Sequence, residues 1–559
     1  MEPNPILPAT ERPHPATADL DLAPPGRIAP MLRRAALEIF DGGPEGEPAL
    51  GAESFARAAQ ALGRWMAEAW SADPPQTILL SGAGTSGRLA GFLAARFNAA
   101  LQRAGRPRRF WADIAGGPEA FFRSIEGAED DAEAGAGRWR AVARKAPVGL
   151  TIGITCGLSA PYVAGMARAA VADGGGRAAL LGFVPPDQAR QGAVFADGRS
   201  VRDVVRALEA SPRGLVIAPA LGPEPLTGST RMKGGSATIA ALSAAFLSGL
   251  GQSPVNEALS LMRSAVEATA PIDGPLADLI EFAGRALRAG GRVAYVGRAG
   301  AGLLGLIDAS ECAPTFGDDP ETVRGYCLEG AEGGLGELTA PGGLLAERAD
   351  LIEQASPRAL KAAAAEAQGK PFLLVWVGAE EEPAPRPGDL LGSAEAGASV
   401  YLLRVPCVDS PDRPVARWAW ELAVKTCLNA FSTGAHVRAG KVYGNRMIDL
   451  RISNTKLLER AVRIVAELVG APPEAARRAV ATAIHGAAAG LGREEKDDPR
   501  RHVAAAAGRS GLVARAILLA AGLSLEETER RMAEEPVVRR VVLALRAEKG
   551  GARQAGEGA

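Results

Sequence analysis

The stretch Gly222-Pro-Glu-Pro-Leu-Thr-Gly-Ser-Thr-Arg-Met-Lys-Gly-Gly-Ser236 decides how this chain is read. The apolar run before it, Gly214-Leu-Val-Ile-Ala-Pro-Ala-Leu221, reads as a buried strand. The run after it, Ala237-Thr-Ile-Ala-Ala-Leu-Ser-Ala-Ala-Phe-Leu247, has the length and the Ala and Leu content of a buried helix. A junction of Gly, Ser, Thr, Arg and Lys between strand and helix suits an anion. Small residues let backbone N–H groups approach, hydroxyls donate, and the helix N-terminus adds positive potential. A Gly-rich turn capped by Ser and Thr accounts for one such loop standing alone. Two more loops of the same kind precede it, and the succession favours a ligand.

The first of these follows the strand Gln76-Thr-Ile-Leu-Leu80. It is Ser81-Gly-Ala-Gly-Thr-Ser-Gly-Arg88, and it leads into a helix over 89–101. The second, Thr155-Cys-Gly-Leu-Ser-Ala-Pro161, follows the strand Val148-Gly-Leu-Thr-Ile-Gly-Ile154. Further strands are predicted near 109–115 and 178–184. Strands alternating with helices, with hydroxyl loops after successive strands, predict a doubly wound parallel sheet with ligands at its C-terminal edge. The dinucleotide pattern is absent, because Gly82-Ala-Gly84 is not followed by Gly at the right offset.

A second α/β unit repeats the pattern less faithfully. Helices are predicted over 255–268, 276–288 and 418–435, and strands over 291–297, 371–377 and 399–405. The loop Arg298-Ala-Gly-Ala-Gly302 has lost every hydroxyl. Residues 329–370 read as a partly helical, solvent-facing insertion. From about 441 the chain is helical. Domain boundaries follow: an N-terminal extension 1–50, α/β units 51–255 and 256–440, a helical cap 441–549, and a tail 550–559 expected to be disordered.

The 559 residues and a mean hydropathy near zero allow sizeable cores. A net charge of −1 gives no electrostatic case for nucleic acid or an anionic membrane. No apolar run is long enough to span a bilayer, and Met1-Glu-Pro-Asn-Pro-Ile-Leu-Pro8 lacks the form of a secretory signal. Five scattered Cys without C-x-x-C spacing favour a reduced, cytoplasmic setting. Four His with no metal-ligand spacing point away from metal, and no cofactor is expected. Proton transfer, where it occurs, falls to carboxylates.

Several stretches together resemble the SIS (sugar isomerase) domain family. They are Gly82-Ala-Gly-Thr-Ser-Gly-Arg88, Glu126-Gly-Ala-Glu-Asp130, Gly157-Leu-Ser-Ala-Pro161, the 222–233 loop, Asp308-Ala-Ser-Glu-Cys312, Ser432-Thr-Gly-Ala-His436, Lys441-Val-Tyr-Gly-Asn445 and Asp449-Leu-Arg-Ile-Ser-Asn-Thr-Lys456. The resemblance is to the branch that holds the bacterial N-acetylmuramic acid 6-phosphate etherases and the animal glucokinase regulatory protein. It implies two tandem flavodoxin-like SIS domains and an all-α cap, with a sugar 6-phosphate bound between the units. Carried over by position, Gly84, Thr85, Ser86, Glu126, Thr155, Gly157, Ser159, Ser229, Thr230 and Arg231 hold the ligand, and Lys456 reaches in from the cap. For any one of these, turn or capping chemistry is the commoner explanation.

The etherases' two glutamates fall on Glu311, as acid on the lactyl ether oxygen, and Glu129, as base at C2. A pair of carboxyls split by unequal burial suits such an elimination. In the first unit Arg96 stands where the acid is matched, and the second unit lacks both the hydroxyl turn and the Thr-Gly-Ser-Thr-Arg-Met-Lys loop. Glu329-Gly-Ala-Glu332 follows Glu311 too soon to be the base motif. The resemblance therefore implies a monomeric pseudo-dimer with one composite etherase site. The other reading it leaves open is a sugar-phosphate-sensing regulator that binds and inhibits a glucokinase-type sugar kinase.

Overall fold

The structure, a computed structural model, describes all of the chain except residues 1–8, 44–45, 47–48, 174, 329–333, 368, 393–396, 410–412, 453–454, 487–498 and 557–559. Of Lys456 and residues 549–556 it describes the backbone only. Short turns at Ala9–Glu11 and Pro15–Thr17 lead into α1 (Pro25–Asp41) and α2 (Glu53–Ser71). The first unit then runs β1 (Thr77–Gly82), α3 (Thr85–Arg103), β2 (Phe110–Ile114), α4 (Ala132–Ala143), β3 (Val148–Ile154), α5 (Pro161–Ala172), β4 (Arg177–Leu181), α6 (Val201–Glu209), β5 (Gly214–Ile217) and α7 (Lys233–Gly249). Its strands are all parallel, in the order β2-β1-β3-β4-β5. Every residue of β1 is buried, as a strand covered on both faces requires. The winding reverses between β1 and β3, so the loops after these two strands flank one crevice at the C-terminal edge.

The second unit runs α8 (Val255–Glu267), α9 (Asp273–Arg288), β6 (Arg292–Arg298), α10 (Ala299–Phe316), β7 (Val323–Leu328), α11 (Leu335–Thr339), α12 (Pro357–Ala365), β8 (Phe372–Ala379), α13 (Pro387–Leu391), β9 (Ala398–Val405) and α14 (Pro414–Arg438). Its parallel order β7-β6-β8-β9 repeats the first four strands of the other sheet. Strand β7 escapes the sequence reading because Asp-Asp-Pro-Glu precedes it and Arg324 and Gly325 break its apolar run.

The stretch expected to be a solvent-facing insertion is instead anchored in the core by its leucines, with its charged residues at the surface. Leu335, Leu338, Leu344, Leu345, Leu351 and Leu360 are buried. Gly342 O accepts from Ala112 N at 2.9 Å, on the edge of the first unit's sheet. Its Gly, Ala and Glu content hid the widely spaced leucines that do the packing. Glu329 and Glu332 lie outside the described residues.

The cap opens with a hairpin of β10 (Val442–Tyr443) and β11 (Arg446–Met447). It continues through α15 (Thr455–Val469), α16 (Pro473–His485), α17 (Pro499–Ala506), α18 (Leu512–Ala520), α19 (Leu525–Glu534) and α20 (Val538–Gly556). Helix α20 extends to Gly556, into the tail expected to lack structure.

The cap has a hydrophobic cluster of its own; the two α/β units share a larger one, and each also keeps a smaller one to itself. Phe97 of α3 stacks on Phe246 of α7 at 4.3 Å between centroids, and Trp418 of α14 meets both at 5.6 and 5.5 Å. The second unit thus completes the first unit's core. Trp418→Ala should cost about 3–5 kcal/mol. Thermal unfolding followed by limited proteolysis should show both α/β units becoming cleavable together, at the same lowered temperature.

Candidate functional site

The first unit supplies two hydroxyl loops at the crevice. Gly84 has φ +51°, in the left-handed region that favours glycine, and the turn it makes sets Thr85 and Ser86 at the start of α3. Ser86 Oγ lies 3.7 Å from Cys156 Sγ, so the loops after β1 and β3 touch. Thr155 Oγ1 accepts from the backbone N–H groups of Ser159 (3.1 Å) and Ala160 (3.2 Å), ahead of α5. That bonding holds the turn through Gly157, with the Ser159 side of the loop open to solvent.

The 222–236 loop behaves differently from its reading as an anion cradle. The Glu224 carboxylate already accepts from Lys233 N (2.8 Å) and Gly234 N (2.9 Å), so the first turn of α7 is capped by the chain itself. Burial pushes the Glu224 carboxyl up to about 7, against those two N–H donors and Lys233 and Lys425. Lys233 Nζ turns to Glu38 of α1 at 2.7 Å, and Glu38 also meets His14 Nε2 at 2.9 Å. Ser229 and Thr230 sit in tight turns, where Thr230 O accepts from Gly235 N at 2.8 Å.

Arg231, read as a ligand contact, is committed to the second unit. Its Nη1 donates to Asp308 Oδ1 (2.9 Å) and Ser432 Oγ (3.0 Å), and its Nη2 to Thr433 Oγ1 (2.8 Å). Tyr295 O–H donates to the other oxygen of Asp308 at 3.1 Å. Glu311 makes the return crossing. From α10 of the second unit it accepts from Arg88 Nη1, in the Gly84–Arg88 turn of the first unit. Arg88 Nε in turn donates to Phe121 O at 2.9 Å.

Helix α10 is the wall between two spaces. On one side Thr85, Arg231, Asp308, Glu311, Lys425 and Asn429 line a pocket of about 10 Å³, room for one water. Lys425 Nζ donates to Arg231 O at 2.6 Å, and burial lowers its ammonium to about 8. On the neighbouring stripe, Ser310, Ala313 and Pro314 face a cavity of about 380 Å³. The first unit closes it with Phe122, Arg123, Ser124 and Glu126; the cap closes it with Met447, Leu450, Arg451, Leu457 and Arg460. Glu126 is thereby placed in a chamber shared by all three parts of the chain. Glu129, in the turn Ala128–Asp130, is exposed and lines neither space. Lys456 is the second residue of α15, but its side chain lies outside the described residues.

Several residues of this site went unread. Arg88 and Asp308 stood inside quoted motifs and carried a signal. Lys425 was visible only as a lysine in a mostly apolar helix. In the clamp beneath the large cavity, His436, Lys441 and Asp449 also stood inside quoted motifs, and Asp318, which joins them, did not. There Asp318 accepts from His436 Nε2 and Lys441 Nζ, both at 2.6 Å. Lys441 also pairs with Asp449 at 2.9 Å, and Asp449 Oδ1 accepts from Gly511 N of the cap at 2.5 Å. Burial alone would raise the Asp318 carboxyl, but His436 and Lys441 hold it at about 2, below its ordinary 3.8. A lowered acid contributes stability that is complete above its unfolded value and fades as pH falls toward its folded one. Lowering 3.8 to about 2 corresponds to about 2 kcal/mol. Chemical denaturation of wild type should therefore lose about that much between about pH 5 and 1, beyond the loss shown by Asp318→Asn.

Among the described residues no helix is long and apolar enough to cross a membrane. Family models match three segments: the glucokinase regulatory protein N-terminal SIS domain at residues 59–171, its second SIS domain at 274–337, and its C-terminal lid domain at 444–542. The chain is 30% identical over 513 residues to the glucokinase regulatory protein of Mus musculus, covering 83% of this chain and 80% of that protein. It is 28% identical over 532 residues to the one from Xenopus laevis, covering 86% and 83%. An N-acetylmuramic acid 6-phosphate etherase from Gloeobacter violaceus matches 36% of the chain and 67% of itself, at 37% identity over 225 residues. Two parallel sheets of one topology, a helical lid and whole-length similarity agree: the chain belongs to the SIS-domain family, in the branch that holds the glucokinase regulatory proteins and the N-acetylmuramic acid 6-phosphate etherases.

Proposed function

We propose that the chain binds a sugar 6-phosphate between its two SIS units and cleaves the lactyl ether of N-acetylmuramic acid 6-phosphate, giving N-acetylglucosamine 6-phosphate and D-lactate. The observation that supports this most is the crossing of Glu311 from the second unit to Arg88 of the first unit's hydroxyl turn. A fused pseudo-dimer with a composite site needs that crossing. Thr85, Ser86, Thr155 and Ser159 take the phosphate, and Lys456 approaches from the lid. Glu129 removes the proton at C2 of the opened sugar, and Glu311 protonates the ether oxygen as the C3–O bond breaks. Water then adds across the new C2–C3 double bond. Two movements are required. Arg88 must release Glu311, because a proton on the accepting oxygen would clash with the Arg88 donor. The 122–131 loop must turn Glu129 inward. An anionic ligand drawing Arg88 away supplies the first movement. The setting is the cytoplasm and the working unit one chain.

A second reading is favoured by the whole-length relatives: a regulator that inhibits a sugar kinase and is tuned by a sugar phosphate. In it the Arg88–Glu311 pair stays closed and the lid carries the response. Purified chain incubated with N-acetylmuramic acid 6-phosphate separates the two. The etherase reading expects lactate, with a loss of about 100-fold or more in Glu129→Gln and in Glu311→Gln. No lactate from wild type, together with fructose 6-phosphate-dependent inhibition of a sugar kinase, would establish the second reading instead.

A further inference from the structure

The second unit repeats the strand, turn and helix start of the first without a gap, on mostly different residues. Aligning Gly82 of β1 with Gly297 of β6 places Ala299 on Gly84, Gly300 on Thr85 and Glu311 on Arg96. The backbone keeps the match: Ala299 has φ +44° where Gly84 has φ +51°. A left-handed turn thus survives in the second unit on a residue that disfavours it. What has changed is the space over the helix that follows.

In the first unit, a Cβ built on Gly235 of α7 would lie 3.1 Å from Lys425 Cε and Nζ and 3.6 Å from Thr85 Cγ2, so glycine there makes room for a lysine ammonium beside the helix start. In the second unit the arrangement is inverted. A Cβ on Gly300 would overlap both Glu421 Oε1 of α14 and Arg96 Nη2 of α3. The carboxylate lies over the first turn of α10, where the helix dipole favours an anion. Arg96 crosses from the first unit to meet it, with Nη2 3.0 Å from Oε1. Both residues are fully enclosed, Glu421 at 2% and Arg96 at 3% exposure. Nε and Nη2 of Arg96 make no hydrogen bond among the described residues. A buried guanidinium with unused donors, aimed at a helix start, is a receptor for an oxyanion richer in acceptors than one carboxylate oxygen.

We propose that the second SIS unit holds a latent oxyanion site, formed by Arg96 and the first turn of α10 and shut by Glu421, which accepts inorganic phosphate or a phosphate ester once that carboxylate is removed. In the native chain Glu421 is the resident anion, so the second unit takes no ligand and the chain binds at most one sugar phosphate. The inference rests on the repeat and the Arg96–Glu421 geometry, and holds under either functional reading.

The test uses the full chain and inorganic phosphate, compared with chloride at equal ionic strength. Glu421→Gly should gain about 2 °C more in Tm from saturating phosphate than wild type gains. Adding Arg96→Met should abolish that extra gain. A Glu421→Gly chain that responds to phosphate only as wild type does overturns the proposal. If this variant fails to fold in chloride, folding must return in phosphate and not when Arg96→Met is added; no recovery overturns the proposal equally.

Discussion

The structure depends on an exchange of charged side chains between its two halves. The first unit sends Arg231 into a pocket made by Asp308, Ser432 and Thr433 of the second. The second sends Glu311 back to Arg88 of the first. These contacts sit in a shared apolar core, where an unpaired charge is far costlier than at a surface. Each unit therefore removes an uncompensated charge from the other, and one relative placement satisfies both. That placement puts α10 beside the first unit's hydroxyl turn and leaves a chamber on the helix's other stripe for the lid to cover.

A symmetric duplication has become an asymmetric machine by changing what stands at equivalent positions. Thr85 and Gly84 of the first unit correspond to Gly300 and Ala299 of the second. Glu311 corresponds to Arg96. The first unit keeps hydroxyls and receives a carboxylate; the second keeps a carboxylate of its own and receives a guanidinium. One scaffold thus presents an anion-binding edge once and a self-neutralised edge once. The N-terminal segment and lid complete the assembly around the 222–236 loop. Thr227 N donates to Asn445 O, Gly228 N to Thr10 O, and Thr17 Oγ1 to Pro225 O.

The fold was largely legible in the sequence. Strands with continuous apolar content and Gly-rich exits, such as Val148–Ile154, fell where expected because buried parallel strands have that pattern. Strand β7 did not, because Arg324 and Gly325 interrupt its apolar run, nor did the packed 334–367 stretch, which contacts with the first unit's edge stabilise where local periodicity does not. At the site, hydroxyl residues on the loops after β1 and β3 were legible as motifs. The partners of Arg231, Lys233 and Glu224 were not. A basic residue in a Gly/Ser loop looks the same whether it awaits a ligand or reaches Glu38 or Asp308, which are distant in sequence. Lys425 and Glu421 follow the same logic: a charge within an apolar helix announces an interface or a site, and only the packing says which.

A double-mutant cycle on Arg231 and Asp308 tests the central claim most directly. Unfolding free energies are measured for wild type, Arg231→Met, Asp308→Leu and the double variant. If the halves are locked by charge exchange, each single change costs about 3–5 kcal/mol. The two losses then fall short of adding, with a coupling of about 2 kcal/mol or more. Losses that add to within about 0.5 kcal/mol would contradict the account, since the two residues would then act independently.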